Sequence, residues 1–442
     1  MSSQGSKPFY RGRSVVAWAL YDCANSAYAT AVLAGFFPIF FKQYWSGGVD
    51  AGTSTFQLGA ANSIGSMIIV ILAPVLGAIA DQGGAKKRFL IFFAAMGVVM
   101  TGSLYWVAQG EWLLAVVLYV IASVGFSGGN LFYDSLIMNV ADDEHMDVVS
   151  AMGYAFGYLG GGILFAANVF MTLHPGWFGL ADASTAVRVS FVSVAVWWAM
   201  FSIPIMLFVH EPAAPSRRAR RSMIKGGFGQ LVSSLREVHK LHVVFLFLIA
   251  YWLYIDGVDT IVRMAVDYGL SLGFDANNLI VALLITQFIG FPAAVVFGQI
   301  GTRIGAKNGI YIAIAVYIAV CISGYFMDSV VEFYVIACVV GLVQGGIQAL
   351  SRSFYTRIIP RDKAAEFFGF YNMLGKFAAV IGPLLMGWVS LATGNPRYSI
   401  LSIIVLFIAG GVVLFYVDES QGRQAALDME NAQAFTAKEI KP

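Results

Sequence analysis

Charge, cysteine and uninterrupted polar sequence are all scarce in this 442-residue chain. Only 12% of residues are Asp, Glu, Lys or Arg against 59% hydrophobic ones, and the mean hydropathy is +0.75. Too few polar side chains exist to clothe a water-soluble globule, so the apolar surface must meet lipid. The three cysteines, Cys23, Cys321 and Cys338, all fall in apolar stretches and read as small packing residues rather than as a disulfide or metal set. A net charge of +2 with no recognition module excludes a nucleic-acid partner. No nucleophile and base set, metal cluster or phosphate-binding loop is recognisable, so neither an enzyme nor a cofactor is expected.

What is present is long apolar sequence. About 20 residues at ~1.5 Å each cross a bilayer core, and twelve such segments are predicted: Val15–Phe41, Phe56–Ala80, Phe89–Ala108, Trp112–Val140, Val149–Leu173, Val187–Val209, Leu241–Tyr268, Asn278–Ile300, Asn308–Met327, Val330–Ile359, Ala364–Ala392 and Tyr398–Val417. Strands of a barrel alternate and would not give runs this long, so an all-α membrane protein is expected. Pro38, Pro74, Pro204, Pro292 and Pro383 are predicted to bend their helices.

The cations set the orientation. With both termini cytoplasmic, the outer loops hold only Lys42, Arg188 and Arg397, and Arg263 and Lys376 lie within spans. All remaining Lys and Arg fall on the cytoplasmic side. The connection between the fourth and fifth spans is the exception, with Asp142, Asp143, Glu144 and Asp147 and no cation. The first span is too long for a cleavable signal peptide and reads as an anchor. The longest soluble stretch, Glu211 to Lys240, carries Arg217, Arg218, Arg220, Arg221 and Lys225 and suits a basic linker held at anionic lipid. The expected organisation is a six-helix bundle over 1–210, the linker over 211–240, a second six-helix bundle over 241–417 and a cytoplasmic tail over 418–442.

Two internal echoes suggest duplication. Gly77, Asp81 and Gly84, followed by Lys86, Lys87 and Arg88, form a turn after the second span, and Gly298, Thr302, Gly305 and Lys307 repeat its skeleton after the eighth. Trp18, Asp22, Asn25 and Ser26 in the first span are matched by Trp252, Asp256, Asp259 and Thr260 in the seventh. The loop pattern resembles that of the major facilitator superfamily. That resemblance implies twelve helices in two six-helix pseudo-repeats and alternating access. It also implies that Asp81, the neighbouring cations and Asp134 form a charge cluster latching the cytoplasmic side, with a weaker latch at Thr302.

An ionisable side chain inside a membrane costs several kcal/mol, so each one present is a candidate functional group. Asp22, Asn25 and Ser26 share one stripe of a helix. Asp256, Asp259, Thr260 and Arg263 do the same in the seventh span, where Asp259 and Arg263 at i, i+4 are placed to pair. Asp256 is then the better carrier for a coupling proton, with Asp22 second. Gln344, Gln348 and Arg352 at steps of four in the tenth span, and Asn372 and Lys376 in the eleventh, supply donors for a solute. Arg352, nearest the cytoplasm, is also a gating candidate or a snorkelling anchor. Lys376 is alternatively a permanent partner of Asp22. Gly153, Gly157 and Gly161 form a small-residue stripe for close helix approach. Tyr21, Tyr28, Trp252, Tyr254 and Tyr371 are expected mostly to pack or face lipid.

Four segments narrow the resemblance: Trp18 to Thr30, Gly153 to Gly162, Tyr254 to Thr260 and Gly345 to Ser353. They resemble the autophagy-related vacuolar amino-acid effluxer family, and more closely its bacterial branch. Cys23 departs from that pattern, where tryptophan is expected. The resemblance implies export of amino acids or similar small solutes. The expected function is proton-coupled export of a small polar or zwitterionic solute by a monomer, with solute, proton and lipid bilayer as its partners, most simply in a bacterial inner membrane. Alternatives are uptake of a peptide- or siderophore-like nutrient by proton symport, and a non-transporting receptor or scaffold.

Overall fold

The computed structural model describes residues 12–47, 51–211, 241–377 and 381–439, and every element among them is helical. The helices are α1 (Arg13–Trp45), α2 (Ala51–Gly83), α3 (Lys86–Ser103), α4 (Trp112–Val140), α5 (Met146–Leu173), α6 (Ala183–Phe208), α7 (His242–Ser271) and α8 (Ala276–Ile304). They continue with α9 (Ala306–Phe326), α10 (Val330–Ile358), α11 (Ala364–Phe377), α12 (Ile381–Thr393), α13 (Pro396–Ser402), α14 (Ile404–Phe415) and α15 (Glu419–Glu439). Eleven spans among the described residues are long and apolar enough to cross a membrane. The predicted eleventh span, Ala364–Ala392, is realised as α11 and α12 on either side of 378–380, which lie outside the described residues. So does the basic linker, except Glu211.

α1 departs from a regular α-helix. It is π-helical over Tyr28–Phe36 and again over Phe41–Trp45, with Pro38 in the short α-helical piece between them. A proline removes one backbone donor and crowds the preceding turn, and wider turns absorb that crowding. Caps fix other ends: Asp182 accepts from Thr185 N at 2.7 Å to start α6, and Ser329 with Glu332 forms a capping box on α10.

The chain packs as two compact units. The first is Met1–Leu72, Lys86–Val140 and Gly153–Glu211; the second is Ala73–Ala85, Ala141–Met152 and Pro212–Pro442. The end of α2 and the start of α5 therefore belong to the second unit. In the first, Trp18, Tyr21, Tyr28, Trp45 and Trp198 are fully buried, and Gly97 and Gly125 let α3, α4 and α6 approach where any Cβ would overlap a neighbour. In the second, Tyr251 stacks on Tyr371 at 4.1 Å, and Tyr355 lies 5.1 Å from Tyr371. The outward faces stay apolar, with Ile71, Leu113, Val335 and Leu384 exposed, as lipid contact requires.

Candidate functional site: a carboxylate motif in each unit

The two echoed stripes form the same local structure. In the first unit Asp22 is buried, and the Ser26 hydroxyl one turn later donates to its Oδ1 at 3.3 Å. In the second, Asp256 is 1% exposed, and the Thr260 hydroxyl donates to its Oδ1, also at 3.3 Å. Each pair faces a glycine. A Cβ on Gly157 of α5 would sit 2.7 Å from Ser26 Oγ, and a Cβ on Gly382 of α12 would overlap Thr260 Oγ1 and lie 2.9 Å from Asp256 Oδ1. A small residue on the facing helix is thus what lets the carboxylate and hydroxyl nest against it.

The second oxygens differ. Asp22 Oδ2 accepts from the Tyr133 hydroxyl at 3.4 Å. Tyr133 is itself fixed, stacked on Trp18 at 4.4 Å while the Trp18 indole N–H donates to the Tyr133 carbonyl at 2.9 Å. Asn25 Nδ2 donates to Asn130 Oδ1, so α1 is tied to α4 on both sides of Asp22. Asp256 Oδ1 accepts a second bond from the backbone N–H of Gly382 at 3.0 Å. Its Oδ2 is buried with no hydrogen-bond partner among the described residues. This oxygen remains open to a proton or a ligand donor.

The other predicted residues are distributed more loosely. Thr260 is fully buried and Asp259 half-buried, whereas Arg263 is exposed. Gln344 and Gln348 are half-buried, and Gln344 Oε1 finds no partner among the described residues. Asn372 Nδ2 donates to the Phe368 carbonyl at 3.0 Å. The Lys376 side chain lies outside the described residues. Tyr21, Tyr28, Tyr254 and Tyr371 are buried packing residues, and Tyr254 OH lies 2.6 Å from Ser351 Oγ. Cys23 packs against Gly160, and its carbonyl accepts from the Trp197 indole at 3.0 Å. Sequence reasoning missed Gly382 and Tyr133: neither is charged at neutral pH, and no spacing on α1 or α7 points to them.

At the loop end, Gly77 of α2 meets the first turn of α11, where a Cβ would overlap the Ala365 carbonyl. Asp81 Oδ2 accepts from Glu366 N at 2.8 Å. Gly84 turns the chain at φ 53° and Gly305 turns the second copy at φ 86°, conformations that favour glycine. Lys86 N and Lys87 N donate to the Glu211 carboxylate at 2.8 and 3.1 Å, and Lys87 Nζ donates to the Val209 carbonyl at 2.8 Å. Lys307 Nζ repeats this in the second copy, reaching the carbonyls of Phe415 and Val417 at 3.1 and 2.6 Å. Arg88 is exposed and Asp134 is buried. Arg352 is 1% exposed and is no surface anchor. Its Nε donates to Ser150 Oγ at 2.9 Å and an NH2 group donates to the Ser150 carbonyl at 2.8 Å.

This duplicated arrangement agrees with the comparisons. The family described as vacuole effluxer Atg22-like matches residues 45–147 and 139–427. The chain is 38% identical over 410 residues to the MFS-type transporter YxiO of Bacillus subtilis strain 168, covering 91% of this chain and 94% of that protein. The chain belongs to the Atg22-like family. Autophagy-related protein 22 of Yarrowia lipolytica is 23% identical over 87% of this chain and 79% of its own length. Two solved structures share the fold of this Atg22-like protein. They are the proton:xylose symporter XylE bound to 6-bromo-6-deoxy-D-glucose (TM-score 0.68, 13% identity, 93% of this chain and 96% of that one) and FucP in the outward conformation (TM-score 0.71, 14% identity, 93% and 100%). The fold is that of the major facilitator superfamily, and the homologues and structural neighbours of this Atg22-like chain are transporters, not enzymes.

Proposed function

We propose that this Atg22-like transporter works by alternating access and exports a small polar or zwitterionic solute, such as an amino acid, in exchange for protons. It would lie in a bacterial inner membrane with both termini cytoplasmic. The observation that carries the reading is Asp256, a buried carboxylate with one oxygen held by the Thr260 hydroxyl and the Gly382 backbone N–H and the other without a partner among the described residues. A buried carboxylate half satisfied in this way is costly unless its unsatisfied state is used. Protonation supplies the missing donor. Asp22, with a donor on each oxygen, is the complementary group and holds the amino end of a solute, with Asn25, Ser26 and the donors of α10 and α11 completing recognition. Export is the direction implied by the relatives' description as effluxers.

The test uses inside-out vesicles and an isotope-labelled amino-acid mixture, with candidates narrowed by comparing metabolites of a deletion strain and wild type. Asp256→Asn abolishes uptake driven by a proton gradient yet leaves solute counterflow intact, because exchange needs no net change in protonation. Loss of both activities would make Asp256 a binding or folding residue and would remove the proton from this site.

A further inference from the structure

We propose that a recess on the lipid-facing side of the second unit, between α9 and α14, is a binding site for one phospholipid acyl chain. The recess has a volume of about 410 Å³. Ile314 and Phe407, both buried, form its floor, and Ile408, Val412 and Phe415, each more than half exposed, form its rim. Tyr311 of α9 and Gly411 of α14 meet across it, the Tyr311 hydroxyl donating to the Gly411 carbonyl at 3.1 Å.

A glycine opens this space without being needed for packing. Gly410 is required where it stands, because a Cβ there would lie 2.9 Å from Tyr254 N and 3.1 Å from the Ala250 carbonyl oxygen of α7. Gly411, the next residue, is under no such demand: an added Cβ would meet only Tyr311 Cε1, at an ordinary 3.9 Å. Glycine inside a helix is destabilising relative to alanine, and no protein neighbour requires one here. The first unit shows the contrast. Lys87 Nζ bonds the Val209 carbonyl there, and Lys307 Nζ bonds the Val417 carbonyl in the second unit; six residues before those carbonyls stand Ile203 and Gly411. Only the second unit lacks a side chain at that place.

The surroundings name the occupant. α9 is a spanning segment and α14 lies within another, Arg397–Phe415, so the medium at the rim is bilayer hydrocarbon. A held water needs two to four polar partners, whereas the Tyr311 hydroxyl and the Gly411 carbonyl are already bonded to each other. Apolar lining gains dispersion contacts from hydrocarbon packed against it. From Tyr311 to Ile318 the recess extends ~10 Å at 1.5 Å per residue, inside the ~15 Å hydrocarbon depth of one leaflet. Its loop end is marked by exposed Tyr416 and by Lys307, residue types suited to the headgroup level. The chain enters there and lies over Phe407 and Ile314, enclosed on both sides, unlike lipid on a convex helix surface.

The experiment is native mass spectrometry of the full chain purified in detergent. Wild type carries one phospholipid that resists delipidation, and Gly411→Leu, whose side chain fills the recess, loses it. Val405→Trp, on an exposed part of α14 outside the recess, keeps it. In stripped wild type, dioleoylphosphatidylcholine raises the melting temperature and glycerophosphocholine, the headgroup without chains, does not; Gly411→Leu responds to neither. Should Gly411→Leu fail to fold, Ile408→Trp narrows the recess from its exposed rim and predicts the same loss. A wild type without phospholipid, a lipid kept equally by the filled variant, a bound mass matching detergent or free fatty acid, or stabilisation by glycerophosphocholine would each overturn the proposal. Lipid mass and melting temperature involve neither solute nor Asp256, so failure here and failure of proton coupling are separately visible.

Discussion

A carboxylate buried against lipid is stable only to the extent that donors meet its oxygens, and Asp22 and Asp256 differ on that count. The Tyr133 hydroxyl fills the position on Asp22 that no donor fills on Asp256 among the described residues. Tyr133→Phe should therefore destabilise the protein by roughly 1 kcal/mol, the usual net value of such a bond. Melting curves of the purified protein test this, and an unchanged melting temperature would show that the bond contributes nothing. Gly382→Ala is predicted to be worse, because its Cβ has no space beside Thr260. Overpacking of this kind costs about 1–3 kcal/mol, and Gly382→Ala with Thr260→Ser should remain destabilised, since the Oγ1 that blocks the Cβ is kept. Recovery of full stability in that double variant would place the clash elsewhere. The two aspartates were legible in the sequence because ionisable residues stand out in apolar runs. Their glycine neighbours were not, since 47 glycines give no means of telling a packing glycine from one that seats a carboxylate.

At the scale of elements, the helices follow from hydrophobic run length, and their departures follow from local chemistry. Within the span predicted over Ala364–Ala392, the backbone N–H of Gly382 is met by the Asp256 carboxylate. No run-length argument shows that, because apolar sequence is continuous through the region. The acidic connection was conspicuous as an exception to the charge rule, but its partner Arg357 is 210 residues away along the chain, beyond the reach of any local pattern. α15 is polar and follows directly on Asp418, whose carboxylate accepts from the Ser420 hydroxyl at 2.6 Å and from the backbone N–H groups of Ser420 and Gln421 at 2.9 and 3.1 Å. These bonds hold Asp418 below the ordinary carboxylate range, the Ser420 hydroxyl most of all. A depressed folded pKa contributes stability above the unfolded value that is lost as pH falls through the folded one. Protection from amide exchange in the first turn of α15, relative to the intrinsic rate at each pH, should thus be steady from neutral pH down to the ordinary carboxylate value and fall below it, and Asp418→Asn should show the lower protection at neutral pH. Identical exchange in Asp418→Asn and wild type would show that the carboxylate does not cap the helix.

For the whole molecule, each copy of the loop motif meets the start of a helix across a glycine, Gly77 at α11 and Gly298 at α5, and in the first copy Asp81 accepts from that turn. Asp81→Asn is expected to favour opening of the loop end by a factor of about 5- to 150-fold, the usual range of coupling between states, while Thr302→Asn does little, because the Thr302 hydroxyl donates to carbonyls of its own helix. The twelve-span architecture and the duplication could be read from sequence, since both are patterns of run length and spacing. Which acid served which helix could not. The central claim is that the charge state of Asp256 selects the conformation. The direct measurement is the distance between labels at Glu144→Cys and Asp362→Cys in lipid vesicles across pH 5 to 8, for wild type and for Asp256→Asn. The account predicts that the ratio of long to short distances changes with pH in wild type and stays flat in Asp256→Asn, where the side chain is neutral at every pH. The same pH dependence in both proteins would contradict it, and would assign the proton to another group.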